Sequence, residues 1–225
     1  IRKKYPHLPI VFGGIHPTLE PEITAHSSLC DIVVCGEADE TAVLLARALE
    51  QGIDLATIPG IVFKKNGQVI KTPLPPLIGD LDKLSRVNYD LVDIENYLDL
   101  DVDKQWGAFP KKPGSVRRLT LQSARGCPYR CAFCINSIVR GEVYGQRRYR
   151  AMSVDRLLND MRYFKDKYAL NFLSFGDDLF FSDKKRTREL INRMLEENIN
   201  IKWYANVRAD FFRNDYLNVE LLNTL

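Results

Sequence analysis

No stretch of the 225-residue sequence approaches the roughly 20 consecutive apolar residues that a membrane-spanning helix needs, so no span is expected. No secretory leader is visible. Histidine is scarce: His7, His16 and His26 are all there is, and all lie near the start. Internal repeats and low-complexity stretches are missing. Cysteine is sparse and odd in number, five in all, which argues against a disulfide framework and for a reducing, cytoplasmic compartment. The net charge of +3 does not by itself call for nucleic acid. That charge is uneven, however: residues 111–150 hold ten Lys/Arg against one acid, Glu142. Ile1 is not a methionine, and Val219 to Leu225 stop within a helical pattern, so an internal fragment of a longer polypeptide is expected.

What is present is ordinary globular composition, 45% hydrophobic and 27% charged. Residues 9–14 (Pro-Ile-Val-Phe-Gly-Gly) read as a short buried strand ending in a glycine turn, and Pro17 to Ser28 as a helix. Asp31 to Cys35 reads as a second buried strand, ending at Gly36. Glu40 to Gln51 reads as a helix with Val43, Leu44, Ala48 and Leu49 apolar and a stop at Gly52. Alternating strands and helices with continuous apolar strands predict a parallel sheet covered on both faces. Asn66-Gly67 between Ile61–Lys65 and Gln68–Lys71 is a strong hairpin signal. Residues 72–115, rich in Pro and Asp, read as an ordered connector.

A second domain is expected from about Val116. Arg118 to Gln122 predicts a strand, Ser153 caps a helix to about Lys167, and Asn171 to Phe175 predicts a strand. Asp183 caps a helix to about Glu197, and Ile201 to Ala205 predicts another strand. Such repeats suggest a βα barrel or an open α/β sheet, in which chemistry collects at the carboxyl ends of strands. The cysteine loop, Asp177/Asp178 and Asn206/Arg208 all follow predicted strands.

The most informative stretch is Gly126-Cys127-Pro128-Tyr129-Arg130-Cys131-Ala132-Phe133-Cys134, a C-x3-C-x2-C spacing. Three thiolates on one loop suit three corners of an iron–sulfur cubane, leaving one iron open. Three inert buried cysteines beside Arg125 and Arg130 would be odd, because nearby cations favour thiolate. Structural zinc would need a second knuckle, and a ferredoxin-type carrier a fourth cysteine. With aromatic Phe133 before its last cysteine, the loop resembles the signature of the radical S-adenosylmethionine (radical SAM) superfamily.

That resemblance implies a [4Fe-4S] cluster on Cys127, Cys131 and Cys134 whose open iron chelates the amino and carboxylate groups of SAM. It implies reductive cleavage to a 5′-deoxyadenosyl radical, with Phe133 near the adenine. Gly176-Asp177-Asp178 lies where the family receives the SAM amino group, although it departs from the commoner Gly-Gly-Glu; a helix-capping or solvated acid pair is the alternative. Arg208 could meet the SAM carboxylate or ribose, or be structural. The basic stretch suits an anionic cluster and a carboxylate ligand, with a solvated face and nucleic-acid contact as the other readings.

Val11 to Thr18 and Val33 to Glu37 resemble the second half of a Rossmann-like cobalamin-binding domain, which many radical SAM enzymes carry just before the cysteine loop. The resemblance implies that Gly13-Gly14 runs along the nucleotide tail, with Gly36 and Glu37 at the second strand end. The family's Asp-x-His-x-x-Gly loop is not in the sequence, and His16 is not its histidine. Cys30 and Cys35 read as buried small apolar residues.

The expected fold is therefore α/β: the carboxyl-terminal half of a Rossmann-like cobalamin-binding domain with a hairpin (1–72), a connector (73–115), and the first half of a radical SAM (βα) partial barrel (116–225). The expected function is a radical SAM enzyme that methylates an unactivated carbon, with cobalamin. Cyclisation or rearrangement, a tRNA methylthiotransferase and a non-catalytic iron–sulfur module are the alternatives. The implied partners are a one-electron donor of flavodoxin or ferredoxin type and a small-molecule substrate; a nucleic-acid partner is not expected.

Overall fold

The structure, a computed structural model, describes residues 1–98, 116–138, 141, 143–144 and 149–224. The end of the expected connector (99–115) and Lys111, Lys112, Arg140, Arg147 and Arg148 of the basic stretch lie outside these residues. The chain forms two compact units, Ile1–Ile78 with Tyr129–Arg147, and Gly79–Pro128 with Arg148–Leu225. This division cuts across the boundaries read from the sequence. Residues 79–98 pack with the second unit, and the segment carrying Cys131 and Cys134 packs with the first.

In the first unit a mixed sheet has the order β1 (Val11–Gly13), β2 (Ile32–Val34), β3 (Ile61–Lys65), β4 (Gln68–Lys71). β1 and β2 are parallel, whereas β2–β3 and β3–β4 are antiparallel. The expected hairpin thus extends the sheet, turning through left-handed Asn66 and Gly67. Helices α1 (Ile15–Leu19), α2 (Pro21–His26) and α3 (Asp39–Gln51) complete the unit. The single helix expected over 17–28 is two, because Glu20 leaves helical geometry and Pro21 starts a new first turn.

Alternation along β2 and β3 buries both faces of the sheet. Ile32, Val34, Ile61 and Phe63 pack with Leu45 and Ala48 of α3, while Val33 and Val62 pack with Ala25, Cys30 and Cys35. One expectation needs correction. β1 is an edge strand whose three residues are exposed, so it is not buried. α3 buries Thr41, Leu45 and Ala48, and leaves Val43, Leu44 and Leu49 exposed. Leu45 and Ala48 pack on the sheet, and Thr41 Oγ1 donates to Pro59 O at 3.1 Å.

Asp31 ties the chain start to this sheet, accepting from Arg2 Nη2 at 2.6 Å and Ile10 N at 2.7 Å. Partial burial pushes its carboxyl up, but Arg2 and the Ile10 amide outweigh that and hold it below the ordinary 3.8. A depressed folded-state value stabilises above the unfolded value and loses that stabilisation as pH falls through the folded one. Both side chains are about a third exposed or more, so the contribution is a few tenths of a kcal/mol, about the median for surface pairs. Thermal melts of wild type and Asp31→Asn at pH 7 and below pH 3.8 are expected to converge on acidification.

In the second unit, helix α4 (Ile94–Leu98) precedes β5 (Arg118–Leu121) and the short β6 (Ala124–Arg125). After the cysteine loop comes the one-turn α5 (Ile135–Ile138), which belongs to the first unit. Then follow β7 (Arg150–Ala151), α6 (Val154–Lys167), β8 (Phe172–Phe175), α7 (Lys184–Glu196), β9 (Lys202–Tyr204) and α8 (Val219–Leu222). A parallel sheet runs β5-β8-β9, and β6 pairs antiparallel with β7. Ser153 and Asp183 cap α6 and α7 as the sequence predicts, accepting from the amides of Arg156 at 3.1 Å and Arg186 at 3.0 Å. Leu157, Leu158 and Met161 of α6, Leu173 of β8, and Leu190 and Ile191 of α7 are almost fully buried. No helix among the described residues is long and apolar enough to cross a membrane.

Candidate functional site at the strand ends

In a parallel sheet every strand delivers its following loop to the same edge, and the predicted polar residues of the second unit collect there. β5 leads to Ser123, Ala124, Gly126 and Cys127; β8 leads to Gly176, Asp177 and Asp178; β9 leads to Asn206 and Arg208. The edge is knitted by Gly176 N donating to Leu121 O at 2.8 Å and by Asn206 Nδ2 donating to Asp177 O at 3.4 Å. A Cβ on Gly176 would stand 3.1 Å from Thr120 Cγ2, so this glycine lets β5 and β8 lie close together.

The adjacent acids separate sharply. Asp177 is 1% exposed and Asp178 is exposed. The Asp177 carboxylate accepts from Ser123 N at 2.6 Å, Ala124 N at 2.9 Å and Ser123 Oγ at 2.5 Å. Burial pushes its carboxyl above the ordinary range against the pull of those donors and of the Arg186 charge. Arg208 turns its guanidinium to Asp210, with Nε 2.9 Å and Nη2 3.1 Å from the two carboxylate oxygens.

The cysteine loop opens at Gly126, whose φ of 98° suits glycine. Cys127, Cys131 and Cys134 are all half-buried and outside any disulfide. Cys134 N donates to Cys131 O at 3.0 Å, and Ser137 Oγ donates to the same oxygen at 3.1 Å, giving the loop a tight second turn. Phe133, which lies between Cys131 and Cys134 in the sequence, is 93% exposed. By residue type the set fits a cluster: three soft, accessible sulfur donors within eight residues. Among the described residues, however, no three His, Cys, Asp or Glu side chains converge as a metal-holding group. A metal bonded to all three would have to draw them together on binding.

In the first unit Gly14 has a φ of 99° and nothing within 4 Å of where a Cβ would stand, so a ligand could approach its backbone closely. Gly13 continues the strand beside Val34. The Gly36-Glu37 turn differs: Glu37 N donates to the Tyr144 hydroxyl at 2.6 Å, and a Cβ on Gly36 would overlap that hydroxyl. Gly36→Ala is therefore expected to destabilise by about 1–3 kcal/mol, through left-handed strain and displacement of Tyr144. Urea unfolding in wild-type and Tyr144→Ala backgrounds checks this, because the penalty should shrink when the ring is gone.

Cys30 and Cys35 are buried, and burial pushes both thiols up, as inert core residues require. Sequence reasoning missed Ser123, Tyr144 and Arg186. Their partners lie 54 residues away for Ser123 and 107 for Tyr144, and no local pattern marks such contacts.

Residues 121–217 match the sequence profile described as "Radical SAM superfamily". The chain is 32% identical over 204 residues to an uncharacterized methyltransferase of Pyrococcus horikoshii, covering 90% of this chain and 40% of that protein. It is 28% identical over 215 residues to the anaerobic magnesium-protoporphyrin IX monomethyl ester cyclase of Synechocystis, covering 93% and 38%. It thus spans about two fifths of the curated relatives it matches. Among solved structures, the radical S-adenosylmethionine methyltransferase TsrM from Kitasatospora setae, with cobalamin and a [4Fe-4S] cluster bound, superposes with a TM-score of 0.63. That match has 19% identity and covers 97% of this chain and 40% of TsrM. Residues 121–217 are thus similar to the radical SAM superfamily profile, and the superposition on TsrM shows a shared α/β fold.

Proposed function

We propose that the chain is part of a cobalamin-dependent radical SAM methyltransferase. The observation that carries this reading is the C-x3-C-x2-C loop at the carboxyl end of a parallel strand, in a chain aligned over most of its length with methyltransferases. Cys127, Cys131 and Cys134 would hold a [4Fe-4S] cluster, which would supply the electron for reductive cleavage of SAM to methionine and a hydrogen-abstracting 5′-deoxyadenosyl radical. Phe133 offers its exposed face to the adenine. Asp178, exposed at the end of β8, accepts from the SAM ammonium. Arg208 meets the SAM carboxylate by exchanging Asp210 for it. Gly13 and Gly14 let backbone approach the cobalamin nucleotide tail, while the Tyr144 hydroxyl takes the Gly36-Glu37 end.

The electron comes from a flavodoxin- or ferredoxin-type donor and the substrate is a small molecule. The compartment is the cytoplasm, where unbridged thiols persist. Cyclisation is the second reading, favoured by the cyclase relative of Synechocystis. The test is anaerobic reconstitution of the full-length protein with iron, sulfide and hydroxocobalamin, followed by SAM and dithionite. 5′-Deoxyadenosine together with cobalamin-dependent S-adenosylhomocysteine supports methyl transfer. 5′-Deoxyadenosine alone supports the cyclase reading. Neither product, from a protein that has taken up iron, overturns both.

A further inference from the structure

We propose that Asp177 is a positioning residue: with Ser123 and Arg186 it forms a buried brace that fixes the exit of β5 immediately before Cys127. The hydrogen bonds run through Ser123, which is 0% exposed. On one side, Ser123 N, Ser123 Oγ and Ala124 N all donate to the Asp177 carboxylate, at 2.6, 2.5 and 2.9 Å. On the other side, Ser123 O accepts from Met152 N at 2.8 Å and Arg186 Nη2 at 3.5 Å. Arg186 Nε donates to Met152 O at 2.9 Å, so one guanidinium spans both carbonyls. β6 then pairs Ala124 with Ala151 and Arg125 with Arg150. Only Arg125 and Gly126 separate this brace from Cys127, which inherits its position from it.

The same geometry argues against Asp177 as a ligand for an ammonium group. Its two oxygens already take three donors, and the side chain is sealed from solvent, whereas Asp178 next to it is exposed. Leaving two amides and a hydroxyl buried without an acceptor is costly, which gives the brace its stiffness. Where the inference concerns the cluster it rests on the function proposed above; the brace itself does not.

The test uses the full-length protein. In the apo form, amide hydrogen exchange at Ser123 and Ala124 is expected to quicken in Asp177→Ala. It is expected to stay near wild type in Asp177→Asn, whose amide oxygen still accepts from both. On reconstitution, Asp177→Ala is expected to lose iron affinity about 10-fold or more, and Asp177→Asn to recover most of it, as supporting residues behind metal ligands do. Asp178→Ala is expected to bind iron as wild type while weakening SAM. If Asp177→Ala does not fold, Ser123→Ala carries the test, because it removes the 2.5 Å bond and leaves the carboxylate in place; reduced iron affinity is expected. Unchanged exchange in Asp177→Ala, or wild-type iron affinity with weakened SAM binding in that variant or in Ser123→Ala, overturns the brace. A wild type that takes up no iron yet shows the exchange contrast retires the proposed function and leaves the brace standing.

Discussion

Cys131→Ala is expected to strip the reconstituted protein of its brown visible absorbance and of nearly all its iron, from about four atoms per chain to background. The effect is close to all-or-none because three thiolates are the minimum that holds a cubane with one iron open. Two ligands leave two irons exposed to solvent. Cys131 also sits in the tight turn closed by Cys134 N and Ser137 Oγ on its carbonyl, contacts that alanine keeps. The substitution therefore removes the sulfur and leaves the local backbone intact. Iron and sulfide analysis beside a thermal melt separates ligand loss from unfolding. An unchanged melting temperature with lost iron is the expected pair, and retained iron contradicts the ligand assignment.

Leu173→Ala is expected to cost about 2–5 kcal/mol, the range for truncating a large aliphatic side chain in a packed core. Leu173 is 0% exposed in the central strand of the parallel sheet, opposite Leu119 of β5 and Trp203 of β9. Its full burial means that truncation leaves a cavity in the core. Urea unfolding measures the loss. A cost below about 1 kcal/mol would mean that the sheet is not packed as described. The substitution is also expected to reduce iron uptake, because β8 carries Asp177 and, through it, the exit of β5.

These two positions differ in how readily the sequence reveals them. The second unit is legible because its signals are local and agree with one another. Ser153 and Asp183 cap their helices, and Phe172–Phe175 and Lys202–Tyr204 fall inside the apolar runs that predict them. In the first unit the same apolar runs mislead. A strand at a sheet edge and one at its centre have similar composition, so Val11 and Phe12 look buried and are not. In α3, Val43 and Leu44 suggest one buried face while Thr41, Leu45 and Ala48 provide another.

The site shows the same split between local and distant information. The cysteine spacing is readable because all three sulfurs lie on one short loop. Which acid of Gly176-Asp177-Asp178 faces inward is not readable, because Ser123 and Arg186 decide it, and Ser123 is 54 residues away. Gly36 similarly reads as a place for a ligand to approach, and the structure fills it with Tyr144.

The most direct measurement is the electron paramagnetic resonance spectrum of the dithionite-reduced, reconstituted full-length protein before and after adding SAM. A cluster held by Cys127, Cys131 and Cys134 has one iron free to take the SAM amino and carboxylate groups, so its signal is expected to shift on addition. A cluster signal that SAM leaves unchanged would contradict an open iron, and no cluster signal at all would contradict the three-cysteine centre itself.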